Sequence, residues 1–286
     1  MARAAARRCR VGAVKTMSLL AFDSITLVPA TLQGRSVLAA SHGGIFVARA
    51  ALRLGLGGLI VSDAGIGRER AGVIGLDLLE QHAVPAAAVS VHSSRIGDGA
   101  DCLRRGVIST LNEAARRIGL AVGMAAHTAL EYLSQHPRAP AGLLPELADE
   151  HRQVQHANGR QIVIVDSNSL VGPGDGDSIV VTGSHGALLG GRAGSAVKWP
   201  VMAAIYNDAD GGIDGAGFSR LAALDAGQIA AATVSAWSAR IGDARSTLAD
   251  GYVTRVNSCA QAAGARVGMS CLDLVAGLSE WRPQRG

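Results

Sequence analysis

The chain has 286 residues, 48% of them hydrophobic and only 3% aromatic; it can bury a substantial core but is poor in the rings that stack on nucleic-acid bases. Its formal charge of +4 owes much to Arg3, Arg7, Arg8, Arg10 and Lys15, which stand near the amino terminus with no acid among them, so the charge implies no acidic macromolecular partner. No stretch is long and apolar enough to suggest a membrane span.

Residues 1–16 read as a basic leader. The apolar run "MSLLAF" that follows is too short for a secretory core, so the plainer expectation is an over-extended start with Met17 as the initiator. A first unit is expected over 17–133. In it "SVLAASHG" (36–43) and "GGLIVSDAG" (57–65) are short apolar runs closed by glycine, as buried strands would be. Between them "GIFVARAALRLG" has apolar residues at helical spacing and a glycine stop. A helix over "RERAGVIGLDLLEQH" (68–82), a strand at "PAAAVSV" (85–91) and a closing helix at "STLNEAARRIG" (109–119) complete the unit. Residues 134–159, rich in Pro, His and charge, read as a linker with one short helix near Leu147 to Gln155. A second unit is expected over 160–278, with a tail at 279–286.

The second unit repeats the first. "ASHGG" (40–44) returns as "GSHGA" (183–187), and "FDSITLV" (22–28) as "VDSNSLV" (165–171), both 143 residues on. From Ser62 to Met124 the offset is 145 without a gap, and 24 of those 63 positions are identical. Two residues were therefore gained in between, at about Gly190 to Lys198. The unit is far longer than a solenoid or propeller repeat. The expected fold is α/β and internally duplicated: two homologous α/β halves with mostly parallel sheets, related by a pseudo-two-fold axis.

Identical apolar positions need only a shared core, but polar identities are informative. Asp23, Ser24, Ser41, His42, Asp63, Ser93, Arg95, Asp98 and Asn112 reappear as Asp166, Ser167, Ser184, His185, Asp208, Ser238, Arg240, Asp243 and Asn257. Most fall just past the carboxyl ends of expected strands, where α/β proteins bind ligands. Neighbours on an extended segment point to opposite faces, so Ser41 and His42 are not each other's nucleophile and base. The expected catalytic set is instead His42 or His185 as general base toward Ser24, Ser167 or a water, oriented by Asp63 or Asp208. Arg95 or Arg240, set by Asp98 or Asp243, would anchor a substrate carboxylate, with Ser41 and Ser184 beside it. Each residue also has an architectural reading: serine and aspartate as caps or Asx turns, the Arg-Asp pair as a loop tie, and the asparagines as structural.

Metal-ligand spacings such as H-E-x-x-H are absent, as is a nucleotide-binding glycine pattern, so neither metal nor cofactor is expected. Cys9, Cys102, Cys259 and Cys271 lack C-x-x-C spacing and fall at non-equivalent places, as free thiols of a cytoplasmic protein would. The function expected is metal-independent hydrolysis of an amide or ester bond in a small polar, carboxylate-bearing metabolite. A lyase or isomerase could use the same His, Asp and Arg set, and a non-catalytic metabolite-binding or regulatory protein could use it for recognition alone. The partner expected is a small anionic substrate, not nucleic acid or membrane, and a homo-oligomer is compatible with the sequence.

Overall fold

The computed structural model describes residues 19–136 and 151–282. The basic leader, Cys9, Met17, most of the expected linker and the last four residues lie outside them. The fold is α/β, with two mostly parallel mixed sheets of five and six strands and helices packed on their faces. No helix among the described residues is long and apolar enough to cross a membrane.

The first sheet contains β1 (Ala21–Phe22), β2 (Ser36–His42), β3 (Gly58–Ser62), β4 (Ala86–Val89) and β5 (Ile108–Leu111), ordered along the sheet as in the chain. Strands β1 to β4 are parallel and β5 is antiparallel to β4. Its helices are α1 (Ile45–Arg53), α2 (Gly75–Gln81), α3 (Gly99–Arg105), α4 (Glu113–Arg117) and α5 (Ala126–Gln135). Alternation along β2 sorts the core: Val37 and Ala39 face α1 and α2, while Leu38 and Ala40 face α3 and α5. Helix α1 buries Val47, Ala48, Ala51 and Leu52, a stripe at helical spacing.

The second sheet contains β6 (Arg152–Ala157), β7 (Arg160–Val165), β8 (Ile179–His185), β9 (Ala203–Asn207), β10 (Ala230–Val234) and β11 (Val253–Val256). Here β7 to β10 are parallel, with β11 and β6 antiparallel at the two edges. The accompanying helices are α6 (Ser219–Ala226), α7 (Ala244–Asp250), α8 (Ser258–Ala262) and α9 (Cys271–Glu280).

Three local expectations are corrected. The part of the expected linker helix that is described is strand β6, because Asn158 and Gly159 take positive φ of 52° and 75° and close a two-residue hairpin onto β7. Residues 147–150 of that expected helix lie outside the described residues. The closing helix divides at Asn112 into β5 and α4, since the Asn112 carboxamide accepts from Ala115 N–H as an N-cap and also from Ala86 N–H of β4. The helix expected over 68–82 is regular only from Gly75, after a turn in which Glu69 and Arg70 have positive φ.

One difference between the halves bears on the site. Where α1 follows His42, the segment after His185 forms two short 3-10 turns, Leu189–Gly191 and Ala193–Ser195.

The two halves pack through Ala64, Ala71, Val91 and Ile96 from one and Ala187, Ala209, Ala216 and Ile241 from the other. Backbone bonds cross reciprocally: Arg68 N–H to Ala236 C=O at 2.8 Å, and Ile213 N–H to Val91 C=O at 2.9 Å. Ion pairs follow the same pattern, Arg95 with Asp214 at 2.9 Å and Arg240 with Glu69 at 3.2 Å. Glu69 and Asp214 are 58% and 44% exposed, so water screens these pairs. The variants E69Q and D214N should each lose only about 0.2–1 kcal/mol in urea unfolding. A loss above about 3 kcal/mol would show instead that the pairs hold the halves together.

Candidate active site

Strands β2 and β8 end on His42 and His185, and both imidazoles line one cavity of 300 Å³. Ser24, Ser41, Ser167 and Ser184 line it too, with Thr26, Asn168, Ser169, Asp166, Lys198 and Arg220. The two Ser-His pairs thus serve one shared cavity.

The serines build its walls. Ser41 Oγ accepts from Ile25 N–H at 3.0 Å and donates to Ser24 Oγ at 3.3 Å, and Ser184 Oγ accepts from Asn168 N–H at 2.9 Å. Ser24 and Ser167 cap the 3-10 turns Ile25–Leu27 and Asn168–Leu170 by accepting from Thr26 and Ser169 N–H. Neither of these hydroxyls bonds an imidazole among the described residues, so no nucleophile–base pair is preformed there.

Burial disfavours the charged form of both histidines. Burial lowers the His42 pKa to about 4; burial first, then the nearby Arg220 and His42, lower that of His185 well below the ordinary value. His42 Nδ1 accepts from Gly44 N–H at 3.1 Å, and His185 Nδ1 from Ala187 N–H at 3.3 Å. A neutral ring whose Nδ1 accepts carries its proton on Nε2. With Nδ1 occupied by a backbone N–H, each neutral ring carries N–H on Nε2, and its Nδ1 lone pair is engaged. The sequence shows the two histidines but not the backbone N–H two residues on that selects the tautomer.

Each imidazole is packed by a glycine of the opposite half. A Cβ on Gly242 would stand 3.0 Å from His42 Cε1, and one on Gly97 would stand 3.3 Å from His185 Cε1. Both glycines have positive φ, 86° and 83°, which other residues adopt at a cost. Gly242→Ala should therefore lose about 1–3 kcal/mol of stability from backbone strain. It should also displace His42, read as a shift of that ring's NMR signals; an unmoved ring would contradict the packing role.

Asp63 and Asp208 do not reach the histidines. Asp63 Oδ1 accepts from Gly65 and Val91 N–H, and Asp208 Oδ1 from Asp210 and Ala236 N–H, each tying the loop after one strand to the loop after the next. Asp98 and Asp243 cap α3 and α7. Arg95 is committed to Asp214 and lies outside the cavity lining. Arg240 pairs with Asp243 and Glu69 and borders an adjoining groove, not the cavity itself. Neither arginine expected to anchor a substrate is therefore brought into the cavity lining.

The arginine that does line the cavity is Arg220, on α6 and only 3% exposed. Its guanidinium lies over the Tyr206 ring, 5.1 Å from the centroid, and Nη1 donates to the carbonyls of Ser195, at 2.6 Å, and Ala196. Its buried Nε has no hydrogen-bond partner, and no carboxylate lies within ion-pair distance among the described residues. Burial lowers its pKa, but an arginine remains charged. The position held by Arg220 is Gly75 in the first half, so a search for repeated polar residues passes over it. The one available signal is a cation set against the apolar Leu221 and Leu224 of a short helix.

Among the described residues, no three His, Cys, Asp or Glu side chains are grouped to hold a metal ion. No family model, curated protein or solved structure matches this chain, so the reading of its function rests on the chemistry of the site itself.

Proposed function

We propose that the shared cavity binds a small carboxylate-bearing metabolite and polarises a carbonyl oxygen of it. Arg220 is the anion anchor, and the Nε2–H groups of His42 and His185 are the donors to the oxygen. The observation that carries this reading is the buried Arg220 charge with no counter-ion among the described residues. An uncompensated buried cation is costly, and a bound anion offsets that cost.

In the reaction favoured here, hydrolysis of an amide or ester, water or the hydroxyl of Ser24 or Ser167 adds to the carbonyl carbon. The oxyanion that forms is held by two preorganised N–H donors. Its collapse breaks the C–N or C–O bond, the departing amine or alcohol taking back the proton passed to Asp166; where a serine has attacked, water then hydrolyses the acyl-serine by the same route. Asp166 is the one acidic side chain in the cavity lining; its oxygens accept backbone N–H bonds from His151 and Ala244, and it is the group assigned to take up the proton. A lyase or isomerase would use the same donors on an enolate and Asp166 at the α-proton. Recognition without turnover is favoured by a separate observation, the engagement of both serine hydroxyls as caps.

We also infer an internal duplication related by a pseudo-two-fold axis, supported by the repeated sequence and the reciprocal contacts between the halves. In this view the second copy has lost the helix equivalent to α1 and acquired Arg220, leaving one asymmetric site.

The test is thermal unfolding with acetate, lactate, glycerate and malonate at neutral pH, followed by turnover assays on small amides and esters of any acid that binds. At least one acid should raise the midpoint in wild type and not in R220Q. A midpoint unmoved by all four, or an equal rise in R220Q, would overturn the anion site; binding without turnover would leave recognition as the function.

A further inference from the structure

A second concavity of 650 Å³ adjoins the first, sharing Phe46, Asp166 and Gly242 with it. Four arginines line it: Arg49 and Arg53 from α1, and Arg240 and Arg245 from the segment that opens α7. Asp166 and Asp243 are its two acids, and both are engaged. Asp166 accepts from His151 and Ala244 N–H; Asp243 pairs with Arg240 and caps α7. Arg49 and Arg53 stand four residues apart on one face of α1 and form no ion pair among the described residues. Arg240 is held by Asp243 and Glu69 and Arg245 lies 3.7 Å from Asp243, so Arg49 and Arg53 are the cations of the groove without an ion pair among the described residues, and they leave its mouth basic.

Guanidinium groups match phosphate oxygens by paired, planar hydrogen bonds, and several together suit a doubly charged phosphoryl group better than a single carboxylate. We propose that this groove binds a phosphoryl-bearing extension, a terminal phosphate or diphosphate, of the ligand whose carboxylate-bearing head occupies the cavity. This rests on the reading of the cavity above and narrows its ligand to phosphorylated metabolites. Helix α1 supplies the two unpaired arginines and has no counterpart after His185, so the groove opens on one side of the pseudo-symmetric pair only.

The test uses two probes on the full chain, pyrophosphate for the groove and glycerate for the cavity, titrated calorimetrically at low salt. Pyrophosphate should bind wild type, weaken with added salt, lose at least tenfold in affinity in R49Q/R53Q and change less than twofold in R220Q. The double variant should bind glycerate as wild type does; both positions lie on the surface side of α1, and an unchanged unfolding midpoint shows that the variant is folded. No pyrophosphate binding, or binding equally strong in R49Q/R53Q, would overturn the groove assignment whatever glycerate does. Pyrophosphate binding that needs Arg49 and Arg53, beside glycerate binding that ignores Arg220, would uphold the groove and sink the cavity reading instead.

Discussion

Replacing Arg220 with Gln is expected to weaken small-anion binding by about 10- to 150-fold while leaving the unliganded protein nearly as stable as wild type. The first part follows from removing a charge-assisted contact worth about 1.5–3 kcal/mol. The second follows from what the residue does without ligand. Among the described residues its guanidinium bonds the carbonyls of Ser195 and Ala196 and the face of Tyr206, and no carboxylate pairs with its buried charge. Losing those contacts destabilises, but removing an uncompensated buried cation stabilises, and the two effects oppose each other. A residue kept for architecture would behave differently, costing several kcal/mol when a hydrogen-bonded buried group is truncated. Urea unfolding of R220Q beside its anion titration separates the cases: a loss above about 3 kcal/mol with anion affinity intact would make Arg220 structural.

Stability should fall as pH drops from 6.5 toward 4, and His42 should account for about 3 kcal/mol of the fall. Above 6.5 the imidazole is neutral in both folded and unfolded chains and its contribution is fully present. Below that value the unfolded chain takes up a proton that the folded chain, with its pKa near 4, refuses, so the unfolded state gains. His185, also lowered by burial, adds in the same sense. Asp208, raised by burial, acts in the opposite sense, which makes the comparison with a histidine variant the informative one. The slope of unfolding free energy against pH between 6.5 and 4 should flatten in H42Q. An identical slope in the two proteins would place the His42 proton elsewhere.

The architecture was legible where one kind of side chain dominated a segment. The apolar runs ending at His42, Ser62 and Val89 announce buried parallel strands, and the stripe of Val47, Ala48, Ala51 and Leu52 announces α1. The hairpin at Asn158-Gly159 carried a recognised two-residue turn signal, but polar Arg152 to His156 face solvent on an edge strand and hide the apolar alternation. Asn112 was hidden within a helical pattern because its role depends on the antiparallel pairing of β5 with β4, where its carboxamide accepts from Ala86 N–H, and a local pattern does not show that pairing. For the site, repetition drew attention to Ser24, Ser41, His42 and their counterparts, which line one cavity. It could not separate them from Asp63, Asp98 and Arg95, which repeat equally well because both halves need the same loop ties and caps. It also passed over Arg220, which matters because it breaks the repeat.

The most direct test of the account is nitrogen-15 NMR of the imidazoles in histidine-labelled protein, followed from pH 7 to pH 5 with and without a bound small carboxylate. His42 and His185 should stay neutral throughout, each with its proton on Nε2, and both Nε2–H signals should move when the anion enters the cavity. Rings that titrate near 6.5, or that carry the proton on Nδ1, would contradict this and restore the histidines as bases.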